Sequence, residues 1–446
     1  MNLLIITMRR FLRCTKRSSL QKLLILTGVA LILLTFINVR TTEELLRQSC
    51  NPYYGDRSQD KKLTRKQNTG SDKHSSVVDR FIQRKQHLKD KCSIISLDTV
   101  ASEVAVKQHL IIDDKYKLVY CTIEKNGCTF WKRVFQILNG FKNVTDPLQT
   151  RGVAAYEGYK TAEKMPFYEL SNILSYSIKF IFVREPYERL LSGYVDKLFL
   201  PCAPYWFELG RFIVKSFRQN GGSSASSCGD DVTFEEFVRY YLYSYKTNTK
   251  RDVHFSHNYE HCRPCEIDYD YIAKLENFKE DTLFILKEMG LNNTVQIKNF
   301  EKETERDAIM DEIDWGFYVY ESADKCITKY KTLLRIYKKL QIRGIISKDV
   351  PFPFSNKSVE TVHIDEYKEA LLNAHAQSGT REKRKLNRKE AFLEAYSTLP
   401  HELRTELQKE LSADAELFGY ATYPETLKVA ESYVPKFRYF DISECS

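Results

Sequence analysis

The stretch from Tyr116 to Phe135, YKLVYCTIEKNGCTFWKRVF, admits few folds. Lys117 to Ile123 is a short apolar run rich in β-branched and aromatic residues, which predicts a strand buried on both faces. Glu124, Lys125, Asn126, Gly127 and Cys128 then supply a turn, because Asn-Gly accepts the positive φ of a tight strand-to-helix connection. Trp131, Val134, Phe135 and Leu138 recur at helical spacing, so an amphipathic helix follows, with Thr129 and Phe130 in its first turn. Such a helix start offers backbone N–H groups and the positive end of the helix dipole to an anion, and Lys125 adds an ammonium. An ordinary connection with a solvated lysine fits this stretch alone equally well.

A second stretch repeats the pattern. Ser177 to Val183 (SIKFIFV) reads as a strand and runs directly into Arg184, Glu185, Pro186, Tyr187, Glu188, Arg189, Leu190, Leu191 and Ser192. Pro186 suits a first helical position, where its missing N–H costs nothing. Arg184 thus sits at a strand's carboxyl end, with Ser192 roughly two turns along the next helix. Parallel sheets bind ligands outside the carboxyl ends of their strands, where both stretches place their polar residues.

These stretches resemble the Golgi carbohydrate sulfotransferases that act on chondroitin, dermatan and the HNK-1 epitope. In that family a YC-x-x-PK-[VN]-[AG]-C-[ST]-x-WKR loop holds the 5′-phosphosulfate of the donor PAPS, and an R-[ED]-P-[FY]-E-R-L-[LV]-S segment holds its 3′-phosphate. Tyr120, Cys121, Lys125, Gly127, Cys128, Thr129, Trp131, Lys132 and Arg133 match the first motif; Arg184 to Ser192 match the second throughout. Glu124 stands where the family usually has proline. Further on, His254-Phe255, Cys262-Arg263-Pro264-Cys265 and Tyr269 to Ile272 follow the family's HW, C-x-P-C and YD-x-[IV] order.

The resemblance implies a P-loop-like α/β sulfotransferase fold, a central parallel sheet flanked by helices, behind an N-terminal transmembrane helix. It implies a PAPS-dependent enzyme acting on a glycosaminoglycan or glycoprotein glycan, with N-acetylgalactosamine 4-OH of chondroitin or dermatan as the leading acceptor. An HNK-1-type glucuronate 3-O-sulfotransferase and a non-catalytic membrane-anchored glycan-binding relative remain alternatives. The donor contacts fall on residues Glu124 to Phe130 and Arg184 to Ser192. Lys125 is the expected cation on the departing phosphate oxygen, and His254 the leading candidate base, with His109, Glu157 and Glu185 open. No metal is expected, since no G-x-x-x-x-G-K-[ST] motif is present; that absence also argues against a kinase or NTPase.

Arg9, Arg10, Arg13, Lys16, Arg17 and Lys22 precede an apolar run from Leu23 to Val39. The asymmetry predicts a cytoplasmic tail at 1–22, a signal anchor at 23–39 and everything later in the Golgi lumen, a type II topology. A polar stem is expected over 40–103, with a short helix around Phe81, Ile82 and Leu88, and the enzyme domain over 104–446. The chain is formally +9, but its first forty residues hold seven basic and no acidic groups, leaving +2 for the rest, too little for a nucleic-acid-binding domain. Oligomeric state stays open, a homodimer included.

Ten of the eleven cysteines follow the anchor, in a compartment where disulfides form. Cys262 and Cys265 are expected to pair with distant partners, Cys202, Cys228, Cys326 and Cys445 being available, and Cys121 and Cys128 to be buried thiols. Asn143, Asn292 and Asn356 open N-glycosylation triplets. Val153 to Lys164 is expected to be helical. The basic run Arg381 to Lys389 reads as a solvated helix face, with an acceptor track as the alternative.

Overall fold

The computed structural model describes residues 72–95, 97, 103–218, 228–249 and 251–442. The expected anchor at 23–39, the tail before it, most of the stem and the 221–227 loop lie outside the described residues. Among the described residues no helix is long and apolar enough to cross a membrane.

Five strands form one sheet: β1 (Leu110–Asp113), β2 (Leu118–Cys121), β3 (Lys160–Thr161), β4 (Ile178–Val183) and β5 (Tyr271–Lys274), in the order β3-β1-β2-β4-β5. β2, β4 and β5 run parallel, as their apolar runs predict. β1 and β3 add antiparallel on the β2 side, so the expected parallel sheet is a mixed one. The reason is chain length: a turn this short between β1 and β2 closes a hairpin, whereas a parallel crossover needs a dozen residues or more. Lys117 turns the chain with φ 54°, and Asp113 Oδ1 accepts from Tyr116 N at 2.6 Å.

Helices α1 (Asp72–Cys92) and α2 (Glu103–His109) precede the sheet. α1 extends the helix expected around Phe81, Ile82 and Leu88. It buries Phe81 and Leu88, leaves Ile82 exposed, and its Arg80 and Arg84 reach the buried Asp281 at 2.8 and 2.6 Å. Helix α3 (Cys128–Leu138) follows β2 and α5 (Pro186–Tyr194) follows β4, as the apolar spacing after the first strand and Pro186 after the second predict, while α4 (Phe167–Tyr176), not expected from the sequence, precedes β4. The C-terminal half adds α6 (Phe234–Lys246), α7 (Asn258–Cys262), α8 (Phe278–Glu288), α9 (Phe300–Ala323), α10 (Lys329–Ile342), α11 (Arg381–Ser397) and α12 (His401–Leu417). The capping box expected of Thr233 and Glu236 opens α6 with both of its hydrogen bonds formed.

One local expectation is modified and another overturned. α3 keeps its amphipathic pattern yet is buried from Phe130 to Leu138, because its polar face is covered: Arg133 lies between Asp307 and Asp311 of α9, at 2.7 and 2.9 Å. Val153 to Lys164 is not a helix. It holds one 3₁₀ turn and β3, which pairs its backbone with Ile111 and Ile112 and passes through Gly158 at φ 77°.

Disulfides join elements far apart in sequence: Cys121–Cys262, Cys92–Cys265 and Cys228–Cys326. Cys262 and Cys265 do take distant partners, though not the four expected for them. Cys121 is a half-cystine rather than a thiol, because α7 docks on the end of β2 and places Cys262 against it. Cys128 and Cys202 are free. The Cys121–Cys262 bridge closes a loop of 141 residues, for which chain entropy gives about 3–5 kcal/mol. The double substitution Cys121→Ser with Cys262→Ser is therefore expected to lower unfolding free energy by about that amount in a denaturant titration; an unchanged midpoint would refute the bridge.

Candidate active site

Because β2, β4 and β5 are parallel, their carboxyl ends deliver the 122–128 loop, Arg184 and Glu276 to one edge of the sheet. The loop after β2 is held in an unusual shape, with Lys125 at φ 70° and Gly127 at φ 83°. At Gly127 a side chain is excluded twice over, by φ and by the Phe278 ring, 2.8 Å from where a Cβ would stand. Asn126, between them, is fully buried and donates to Phe182 O at 3.0 Å and Asn258 Oδ1 at 2.8 Å, which pins the loop to β4 and α7. α3 then starts with no side-chain cap, leaving its first N–H groups for another acceptor.

Lys125 Nζ lies 3.0 Å from Asp196 Oδ2, in the π-helical turn (Val195–Phe199) that continues α5. The same carboxylate meets Lys197 at 3.2 Å and Lys339 at 2.6 Å, and Lys339 also meets Glu312 at 2.6 Å. Three ammoniums thus face two carboxylates. Burial, with Lys339 and Lys197 nearby, outweighs Asp196 and brings the Lys125 pKa down to about 8, whereas the lysines hold Asp196 well below the carboxylate range against its burial.

His254 stands beside this cluster. Its Nδ1 is 2.6 Å from Asp252 Oδ1, and Tyr205 OH donates to Asp252 Oδ2 at 2.9 Å. Lys197 Nζ sits 5.2 Å from the Tyr205 ring centre, linking the two groups. Burial lowers the His254 pKa, Asp252 opposes it, and Lys197 and Lys125 add to the lowering, so the imidazole is neutral near pH 7. With Nδ1–H given to Asp252, the lone pair is on Nε2.

The second motif separates into two faces of α5. Arg184, Glu188 and Ser192 recur every four residues. Arg184 Nη2 meets Glu188 Oε2 at 2.9 Å, its Nη1 is 3.4 Å from Lys125 O, and Ser192 is half-buried. Pro186, Tyr187, Leu190 and Leu191 are buried on the other face. Glu185 caps the helix, accepting from Tyr187 N and Glu188 N, and burial raises its pKa to about 7 despite those two bonds. Arg189 is buried, and its guanidinium is taken up by Glu124 O (3.0 Å), Ser256 O (2.5 Å), Val253 O (3.2 Å) and His261 Nε2 (3.2 Å). It joins the two loops rather than presenting a charge.

The other named residues are placed as follows. Phe130 is buried among Trp131, Phe278 and Phe300, while Cys128 and Thr129 are half-buried, the Cys128 thiol pushed up by burial. Glu124 is turned toward His109 and His261. Glu157 is exposed, as are Asn143, Asn292 and Asn356.

Sequence reasoning missed Asp196, Tyr205 and Asp252, although Asp196 continues the Arg184–Glu188–Ser192 spacing and Asp252 precedes His254 by two. It also missed Arg388, whose guanidinium pairs with Glu188 beside Arg184. The basic run is the exposed helix face expected, with Arg381, Lys383, Lys385, Arg388 and Lys389 exposed and Arg384 alone among its cations buried, but part of it is paired: Arg381 and Arg384 with Glu305, and Lys383 with Asp349.

Residues 108–314 match the model of the sulfotransferase family. Carbohydrate sulfotransferase 11 of Rattus norvegicus is 32% identical over 224 residues, covering 49% of this chain and 62% of that protein. Carbohydrate sulfotransferase 8 of Mus musculus is 31% identical over 207 residues, 46% of this chain and 49% of the relative. Carbohydrate sulfotransferase 14 of Homo sapiens is 34% identical over 182 residues, 40% and 46% respectively. The chain spans less than two thirds of the length of each of these relatives. No solved structure matches it. The matched residues contain both motifs and the edge at which they meet: over 108–314 the chain carries a sulfotransferase-family domain, and it is similar there to carbohydrate sulfotransferases.

Proposed function

We propose that this protein is a PAPS-dependent carbohydrate O-sulfotransferase acting on the 4-OH of N-acetylgalactosamine in chondroitin or dermatan. The observation that carries the reading is the meeting, at one sheet edge, of a cation-rich loop, an arginine pair and a His–Asp dyad. Each fits one demand of sulfuryl transfer. The uncapped start of α3 and the excess of ammoniums around Asp196 suit the phosphosulfate. Arg184, Ser192 and Arg388, where two guanidiniums share one carboxylate, suit the 3′-phosphate.

PAPS, when bound, supplies the sulfuryl group. His254 Nε2 takes the proton of the acceptor hydroxyl as the new O–S bond forms, and Asp252 holds the imidazole in the tautomer this requires. Lys125 stabilises the charge that builds on the phosphate oxygen as the old S–O bond breaks. Gly193 sets the distance between the two halves, because a Cβ there would stand 2.8 Å from His254 O.

The compartment signals enter the same reading: residues 23–39 as a Golgi signal anchor, 40–103 as a stem, 104–446 as the lumenal domain, glycosylated at Asn143, Asn292 and Asn356. The disulfides support an oxidising compartment. The Glu124 carboxylate, which would repel a sulfated donor if it faced one, is drawn toward a histidine pair, which weakens the non-catalytic alternative.

Four outcomes are expected. In a transfer assay with labelled PAPS on chondroitin, dermatan, desulfated heparan and glucuronate-terminated glycans, label moves to chondroitin or dermatan; transfer only to the glucuronate-terminated glycan would favour the HNK-1 type, and no transfer or PAPS binding would refute the enzyme. Lys125→Ala and His254→Ala each lower kcat by about 10²–10⁴. Because the His254 pKa lies below its usual value and the neutral form is the active one, the rate is full at neutral pH and falls as pH drops through that lowered pKa. Asp252→Asn, which removes the carboxylate favouring the imidazolium, moves this limb to lower pH. Arg388→Ala raises the donor KM about tenfold or more, as loss of a charge-assisted contact should, with a smaller change in kcat.

A further inference from the structure

The residue that departs from the donor-loop motif, Glu124, is also the one with unfinished chemistry. Its Oε2 is buried and has no hydrogen-bond partner. It lies 3.6 Å from His261 Nδ1 and 3.8 Å from His109 Nδ1, too far for hydrogen bonds. His261 Nδ1 is itself 3.2 Å from His109 Nε2. One atom from each of the three residues can therefore be chosen with all of them within 4.8 Å of one another.

We propose that His109, His261 and Glu124 form a binding site for a divalent transition-metal ion, with zinc the best fit. Two imidazoles and a carboxylate are a zinc donor set, and tetrahedral zinc with bonds of about 2.0–2.1 Å spaces its ligand atoms about 3.3 Å apart. The separations of 3.2 and 3.6 Å at His261 Nδ1 are close to that spacing. A hydrogen bond between the two imidazoles accounts for them but leaves the Glu124 oxygen unsatisfied; a shared ion satisfies all three.

The surroundings select the ligand atom on His261. Arg189 Nη2, 3.2 Å from His261 Nε2, can only donate, so without an ion Nε2 accepts and Nδ1 carries the proton; ligation through Nδ1 moves that proton to Nε2, where Ser256 Oγ at 3.1 Å accepts it. The Ser256 hydroxyl is then the kind of outer partner that fixes the orientation of a ligating imidazole. Three protein ligands leave a fourth position for water. The ion would join the donor loop to the end of α2 and to α7, and so brace the backbone immediately before Lys125. This departs from the metal-free expectation drawn from the sequence.

The test is a zinc titration of the full-length chain after chelator treatment, followed by competition with a chromophoric chelator. Wild type is expected to bind one equivalent and to gain thermal stability on binding. Glu124→Gln keeps the side-chain shape, and His109→Asn removes a second ligand; each is expected to weaken affinity at least tenfold, with circular dichroism unchanged. Cobalt in place of zinc should give the visible absorption of a tetrahedral N/O site in wild type and lose it in Glu124→Gln. Absence of stoichiometric binding, or binding undiminished in both variants, would overturn the proposal. None of these readouts depends on sulfuryl transfer, so the site and the enzymatic reading can fail separately.

Discussion

The arrangement of the candidate site depends on one buried guanidinium. Arg189 takes the carbonyl oxygens of Glu124, Val253 and Ser256, and it does so from within the helix that carries Ser192 and starts just after Arg184. A cation taken out of water costs several kcal/mol unless its donors are satisfied, and here backbone oxygens satisfy them. The contact is therefore demanding in geometry: all three carbonyls must be in place for the charge to be tolerated. Two further ties run parallel to it. Asn126 bonds to Asn258, whose amide in turn reaches Asp414, and Cys121 is bridged to Cys262. Hydrogen bonds to charge, hydrogen bonds between amides and a covalent bond thus act on the same two segments. The placing of Lys125 relative to His254 is a property of the scaffold rather than of the two flexible side chains.

The same electrostatic device appears twice at this edge. Asp196 gathers Lys125, Lys197 and Lys339, and Glu188 gathers Arg184 and Arg388. In each case one carboxylate holds more positive charge than it neutralises. The cations are kept at short range without an external anion, and the surplus remains to attract one. Surface pairs of this kind contribute little to stability, but these are partly buried, so the field they make is less screened. Preorganised charge of this sort needs no rearrangement when an anionic group arrives, which is where its catalytic value lies. The cost is mutual repulsion, visible at Arg184, whose pKa is lowered by burial and then by Arg388.

What could be read from the sequence was local. The strand, the Asn-Gly turn, Pro186 at the helix start and the Thr233–Glu236 capping box are set by neighbours within a few residues, and all appear where their chemistry puts them. What could not be read depends on partners far along the chain. Nothing near Arg133 says that Asp307 and Asp311 will cover it, and nothing near Cys121 says that Cys262 will arrive beside it. The basic run is the exposed helix face expected, but its pairing was not legible for the same reason: Arg381, Arg384 and Arg388 have acidic partners on α9 and α5, not within α11. Val153 to Lys164 was misread because strand pairing with β1 outweighs a weak local helical preference.

The second motif shows why a contiguous match is not a contiguous binding surface. Nine residues from Arg184 to Ser192 fit one pattern, yet an α-helix turns successive side chains by about 100°, and only every fourth residue shares a face. Arg184, Glu188 and Ser192 make the polar row, while Tyr187, Leu190 and Leu191 are fixed by the core, where Tyr187 also donates to Thr422 O at 2.6 Å and its own carbonyl accepts from Tyr396 OH at 2.8 Å. Arg189 belongs to neither set, being spent on joining loops. The stretch is specified so densely because three independent demands, ligand, core and loop tether, fall on one short helix. Glu124 shows the converse at the first motif. Its backbone oxygen is held by Arg189, which constrains only the chain path, so its side chain is free to answer to a different environment, the imidazoles of His109 and His261.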